Sequence, residues 1–150
     1  FMLLSISVLL ALVLYDFLHQ ILPFPLLVTF VVLAAVTGFL SASSFTAFSG
    51  TLLTALLIAA SLALVHVISR GRAMGFADAP LAFGLALLVG SAAFPGFIFS
   101  FWIGAVVGIV ILARRPRGSI MTGVEVPFAP YLAAGFLLAY FTQWNPLPLF

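Results

Sequence analysis

The sequence predicts an all-α protein embedded in a membrane, on three observations. Of the 150 residues 65% are hydrophobic and only 5% are charged, where about a quarter is usual. Mean hydropathy is +1.40. Apolar runs of helical length recur along the whole chain, and a backbone in lipid has no water to bond, so such runs form helices that satisfy their own N–H and C=O groups. The alternation of polar and apolar residues that marks a membrane β-barrel is missing.

Breaks in the apolar runs place helices near residues 1–15, 26–40, 51–69, 81–93, 97–113 and 128–144. The first, FMLLSISVLLALVL, carries no charge and runs into YDFLHQILPFP, whose prolines separate it from the second. The polar stretch SASSFTAFSG, residues 41–50, reads as the loop before the third. The fourth, LAFGLALLVGSAA, has thirteen residues, whereas a hydrocarbon core of about 30 Å asks for roughly 20. It either fuses with the fifth into one long tilted helix or is hinged from it at GSAAFPG, residues 90–96.

Charge position favours the hinge. All five basic residues are arginines, and with six helices the loops at 70–79 and 114–127 lie on one side, so that Arg70, Arg72, Arg114, Arg115 and Arg117 together mark the cytoplasmic face. An unbroken helix would split them and bury Pro95 in its interior, where proline removes a backbone bond. The sixth helix opens at Pro127-Phe128. No repeat, low-complexity tract or long linker divides the chain, so residues 1–150 read as one polytopic domain. The start, Phe1-Met2, has neither the charged leader nor the cleavage site of a signal peptide and predicts a trimmed or processed end with further segments ahead of it.

Zero cysteines exclude disulfides, thiol chemistry and cysteine metal sites, and a formal charge of +2 gives no basis for nucleic-acid binding. Three acids remain: Asp16, Asp78 and Glu125. Glu125 lies in the arginine-rich stretch RRPRGSIMTGVEVPF and reads as surface charge. Asp16 and Asp78 each stand beside an apolar helix, on the same side by the topology above. A carboxylate there is costly, about 3 kcal/mol at a helix centre, and is a functional hypothesis by default. The plainer alternative is a pair of wet interfacial aspartates, Asp78 serving as the N-cap of the fourth helix with Pro80 in its first turn, or pairing with Arg70 or Arg72.

Two carboxylates brought together in a low-dielectric cleft cannot both ionise. One then holds a proton while the other is a base, which suits them to activate water against a peptide bond. This chemistry needs neither nucleophile, cofactor nor metal. Of the two histidines, His66 reads as an interfacial side chain; His19, three residues after Asp16, either shares a helix face with the aspartate and tunes it or, the favoured reading, is a plain interfacial side chain.

YDFLHQILPFP resembles the D-x-x-H-Q-x-L-P-D stretch of type IV prepilin peptidases, and MGFADAPLAFGLALLVG resembles their G-x-G-D-V-K stretch with its following helix. FWIGAVVGIVILARRPRG followed by VPFAPYLAAGFLLAYF is similar to the family's penultimate helix, basic loop and I-P-F-G-P-opened last helix. The likeness runs in order from about residue 10 to 141. It implies an intramembrane aspartyl protease of the G-x-G-D kind, a helical bundle of the inner (plasma) membrane that cuts the basic leader from prepilin-like precursors at the cytoplasmic face. Asp16 and Asp78 would be its catalytic pair, Gly75, Phe76 and Ala77 the tight approach to the second aspartate, and Pro127 and Phe128 part of the cleft that receives substrate. There are departures: Ala77 stands where the second glycine usually is, where a methyl group narrows the backbone's options, Phe24 replaces the aspartate of L-P-D and Pro80 the lysine of G-D-V-K. The CxxC-bearing cytoplasmic domain of larger members, with its methyltransferase activity, has no counterpart in the sequence. Two rival readings are a proton- or cation-coupled small transporter, using carboxylates at broken helices, and a peptidase-like membrane subunit without activity.

Overall fold

A computed structural model describes residues 1–71, 74–114 and 128–143, for Leu112 the backbone alone. Among these residues six α-helices follow one another: α1 (Met2–His19), α2 (Phe24–Ser41), α3 (Phe45–Ile68), α4 (Asp78–Val89), α5 (Ala93–Ala113) and α6 (Ala129–Thr142), with a 3-10 turn, Gly90–Ala92, between α4 and α5. No strand occurs among the described residues.

Local chemistry sets the ends. Pro25 occupies the second position of α2, where its fixed φ fits and its missing N–H was an orphan anyway. Helix α3 begins at Phe45, earlier than the sequence reading, because the Ser44 hydroxyl caps it by accepting from the Ala47 N–H at 3.1 Å. Much of SASSFTAFSG is thus helix, with hydroxyls turned back on the preceding turn, as in Ser49 to the Thr46 carbonyl. The far end of α3 closes in a Schellman motif: the Gly71 N–H reaches the His66 carbonyl and the Arg70 N–H that of Val67, at 2.9 and 3.1 Å. Arg70 holds the left-handed conformation there, with φ 53°.

Among the described residues four stretches are long and apolar enough to cross a membrane: Met2–His19, Phe24–Ser41, Phe45–Ile68 and Asp78–Ile111; α6 is a shorter apolar helix. The last of the four is not one rod. Gly90 takes φ 64° and ψ −121°, far from helical values, and Pro95 falls in the first turn of α5, where it breaks no intrahelical bond.

Helices successive in the chain alternate in direction. The Ser5 and Thr37 hydroxyls bond across α1 and α2 at 3.2 Å, the Tyr140 hydroxyl reaches the Met2 sulfur at 3.5 Å, and the Ser100 hydroxyl reaches the Leu132 carbonyl at 3.1 Å. One end of the bundle therefore gathers the close of α1 and α3 with the start of α2, α4 and α6. Helix α4 is the central element, with none of its twelve residues exposed. The outer helices bury one stripe each: Ser5, Leu9, Leu12 and Asp16 on α1, Leu27, Phe30, Ala34 and Thr37 on α2. Spacings of three and four put each set on a single face.

Glycine lets the helices approach. A Cβ at Gly84 would meet Phe30 at 2.7 Å, one at Gly96 would meet the Phe136 Cα at 2.9 Å, and one at Gly135 would overlap the Ser100 backbone. Small residues play this part where lipid supplies no hydrophobic drive between helices. The glycines at 90 and 108, which invite the same reading from their setting in apolar runs, have nothing within 4 Å.

Candidate functional site

Asp16 ends the buried stripe of α1. Four positions beyond Leu12, it faces inward like the leucines before it and is 4% exposed. The backbone N–H of Ala129, the first residue of α6, donates to its carboxylate. That N–H belongs to the first turn of a helix, where backbone donors lack intrahelical partners and the helix dipole favours an anion. The other carboxylate oxygen, Oδ2, is buried with no hydrogen-bond partner among the described residues.

Asp78 reaches the same place by a different route. It is the first residue of α4 and is also 4% exposed. The sequence suggested an N-cap, but that position belongs to Ala77. The Asp78 side chain instead folds back over the turn before the helix, and its Oδ2 accepts from the Gly75 N–H at 3.1 Å. The Asp78 N–H returns to the Gly75 carbonyl at 3.3 Å. Asp16 and Asp78 act on one another electrostatically, and His66 acts on Asp78 in the opposite sense. No arginine among the described residues is part of this set.

Of the remaining residues singled out from sequence, Gly75 is exposed, and a Cβ built on it would lie 3.5 Å from the Asp78 Oδ2, an ordinary contact. Phe76 is 67% exposed and sets its ring edge-on to His66, 5.6 Å between centroids. Ala77 has φ −68° and ψ −16°, a conformation open to any residue, so its methyl group costs the backbone nothing there. It packs against the core. Phe128 lies half-buried directly before α6, its ring 5.9 Å from that of Phe101 on α5. Pro127 lies outside the described residues, as do Arg72, Arg115, Arg117 and Glu125.

Of the two histidines, His66, read from the sequence as interfacial, is the one that acts on Asp78. His19 does not face Asp16; it is exposed and stacks on Tyr15 with 4.4 Å between centroids. His66 is half-buried, and its Nδ1 lies 2.8 Å from the Met74 carbonyl. Its role was hidden because the contact depends on how the loop after α3 folds back, which no helical spacing reports. Among the described residues no group of three or more His, Cys, Asp or Glu gathers as metal ligands.

The arrangement is a buried pair of carboxylates from α1 and α4, bounded by the start of α6, with one carboxylate oxygen, Asp16 Oδ2, unpartnered among the described residues. Buried polar atoms are rarely left so, and a water or a substrate group is what such an oxygen would take. Comparison of the chain with family models, with curated proteins and with solved structures finds no match in any of the three.

Proposed function

We propose that the chain is a membrane-embedded aspartyl endopeptidase that cleaves prepilin-like precursors at the cytoplasmic face of the inner membrane, its six helices crossing in alternation. The observation that carries this reading is that the first and second acids of the chain are both buried and act on one another electrostatically, brought together by α2 and α6, each of which packs against both α1 and α4. Two buried carboxylates that sense each other hold one proton between them. Water bound between them gives a proton to the ionised partner as its oxygen bonds to the scissile carbonyl carbon, while the protonated partner gives its proton to the carbonyl oxygen. The tetrahedral adduct then collapses: the C–N bond breaks, the leaving nitrogen takes the proton gained from water, and the other carboxylate recovers its own from a hydroxyl of the adduct.

The substrate's apolar helix would lie beside the bundle, and its basic leader would remain in the cytoplasm near the two acids. Gly75, Phe76, Ala77 and Phe128 border that approach in this reading, with Phe76 an exposed group open to substrate.

The test is cleavage of a co-expressed prepilin by Asp16→Asn and Asp78→Asn, made singly. Each is expected to lower cleavage about a hundredfold or more, the usual worth of a general acid or base, with helical content unchanged by circular dichroism. Cleavage at the normal rate by either variant would contradict the proposal. Proton or cation flux in proteoliposomes that the same substitutions abolish would point to the transporter instead.

A further inference from the structure

One peptide group joins His66 to Asp78. The carbonyl of Met74 and the N–H of Gly75 are the two ends of the same planar unit; the first lies 2.8 Å from the His66 Nδ1 and the second 3.1 Å from the Asp78 Oδ2. A carbonyl oxygen only accepts, so Nδ1 carries the proton and donates. Fixing one end of a rigid plane fixes the direction of the other.

The surroundings hold the imidazole in place from three sides. Gly71 closes over it, so that a Cβ there would stand 3.3 Å from Cε1; Phe76 meets its face edge-on; and the Met74 side chain is buried in the core, anchoring the loop just beside the bonded carbonyl. The Schellman motif that ends α3 uses the His66 carbonyl itself, so the backbone and ring of one residue shape both the exit from α3 and the turn into α4.

We infer that His66 is a positioning residue for Asp78, its Nδ1–H orienting the Met74–Gly75 peptide so that the Gly75 N–H is aimed at the carboxylate. Hydrogen bonds in series polarise one another, so the imidazole also strengthens the donor that Asp78 receives. The effect on cleavage rests on the peptidase reading; the effect on geometry does not.

Two measurements test it. The first is the 15N spectrum of the histidine-labelled protein in lipid nanodiscs in a His19→Gln background, which leaves one imidazole. A ring that carries a proton on Nδ1 is expected, against the Nε2–H form that free neutral imidazole side chains prefer. An Nε2–H ring overturns the inference. The second is cleavage by His66→Phe and His66→Asn. Phenylalanine fills the space without a donor and is expected to lower kcat about tenfold with KM unchanged, the scale of a misaimed catalytic group; asparagine, whose amide N–H can take the place of Nδ1–H, is expected to recover most of the loss. Wild-type kcat in His66→Phe, with Asp16→Asn and Asp78→Asn inactive, overturns the inference and leaves the peptidase reading intact. An Nδ1–H ring in a protein that cleaves no prepilin supports the positioning role and sinks the peptidase reading.

Discussion

Asp16 and Asp78 arrive at the same buried end of the bundle by different means. Asp16 is delivered by a helix: its direction follows from the register of Ser5, Leu9 and Leu12 on α1, and its hydrogen bond comes from a distant element, the start of α6. Asp78 is delivered by a loop: the turn from Gly75, tied to α3 through His66, sets its direction and supplies its donor. The first is as rigid as the packing of whole helices, and the second is as rigid as a few hydrogen bonds. Two acids held so differently have unlike surroundings, and unlike surroundings are how a pair of identical groups takes up different roles.

Breaking the helical side should have the larger effect. Gly135→Val forces a side chain into the Ser100 backbone and drives α6 away from α5. A destabilisation of about 3 kcal/mol or more is expected, seen as a drop in thermal unfolding temperature in detergent. The loss should fall on Asp16, whose donor is carried by α6, while the Gly75–Asp78 turn persists. Gly75 separates conformation from hydrogen bonding on the loop side. Gly75→Pro deletes the N–H that Asp78 accepts and should lower prepilin cleavage about tenfold, since bonds to charged acceptors are worth roughly 1.5–3 kcal/mol. Gly75→Ala adds only an ordinary contact and should cleave within about twofold of wild type. The smallest effect is expected at Arg70, a non-glycine residue held at positive φ in the Schellman turn that precedes the site. Arg70→Gly relieves the left-handed backbone and should stabilise the protein by up to about 1 kcal/mol, with cleavage unchanged.

Much of the fold was legible in the sequence because membrane helices announce themselves by length and hydropathy. The break between α4 and α5 was legible too, since Gly90 and Pro95 carry it and a thirteen-residue run is too short by itself. Faces were not legible. Where nearly every residue of α1 is apolar, hydrophobicity cannot tell the side of Leu9 and Leu12 from the side of Leu10 and Leu14, and only the buried polar members, Ser5 and Asp16, hint at the stripe. Close approaches at Gly96 and Gly135 depend on which helices become neighbours, and Gly108, in a run just as apolar, has open surroundings. The acids were found from their rarity and position. His66 was not, because its partner is a loop carbonyl, and Ser44 was passed over as loop although it starts a helix.

The convergence of Asp16 and Asp78 is the claim on which the rest depends, and the absence of native cysteines makes it directly measurable. Asp16→Cys combined with Asp78→Cys, treated in membranes with a short bifunctional thiol cross-linker, should form an intramolecular cross-link. The pair Asp16→Cys and Ser44→Cys, at opposite ends of the bundle, should not. Failure of the first pair to cross-link, while each cysteine alone reacts with a small monofunctional reagent, would show that the two side chains do not meet and would contradict the account.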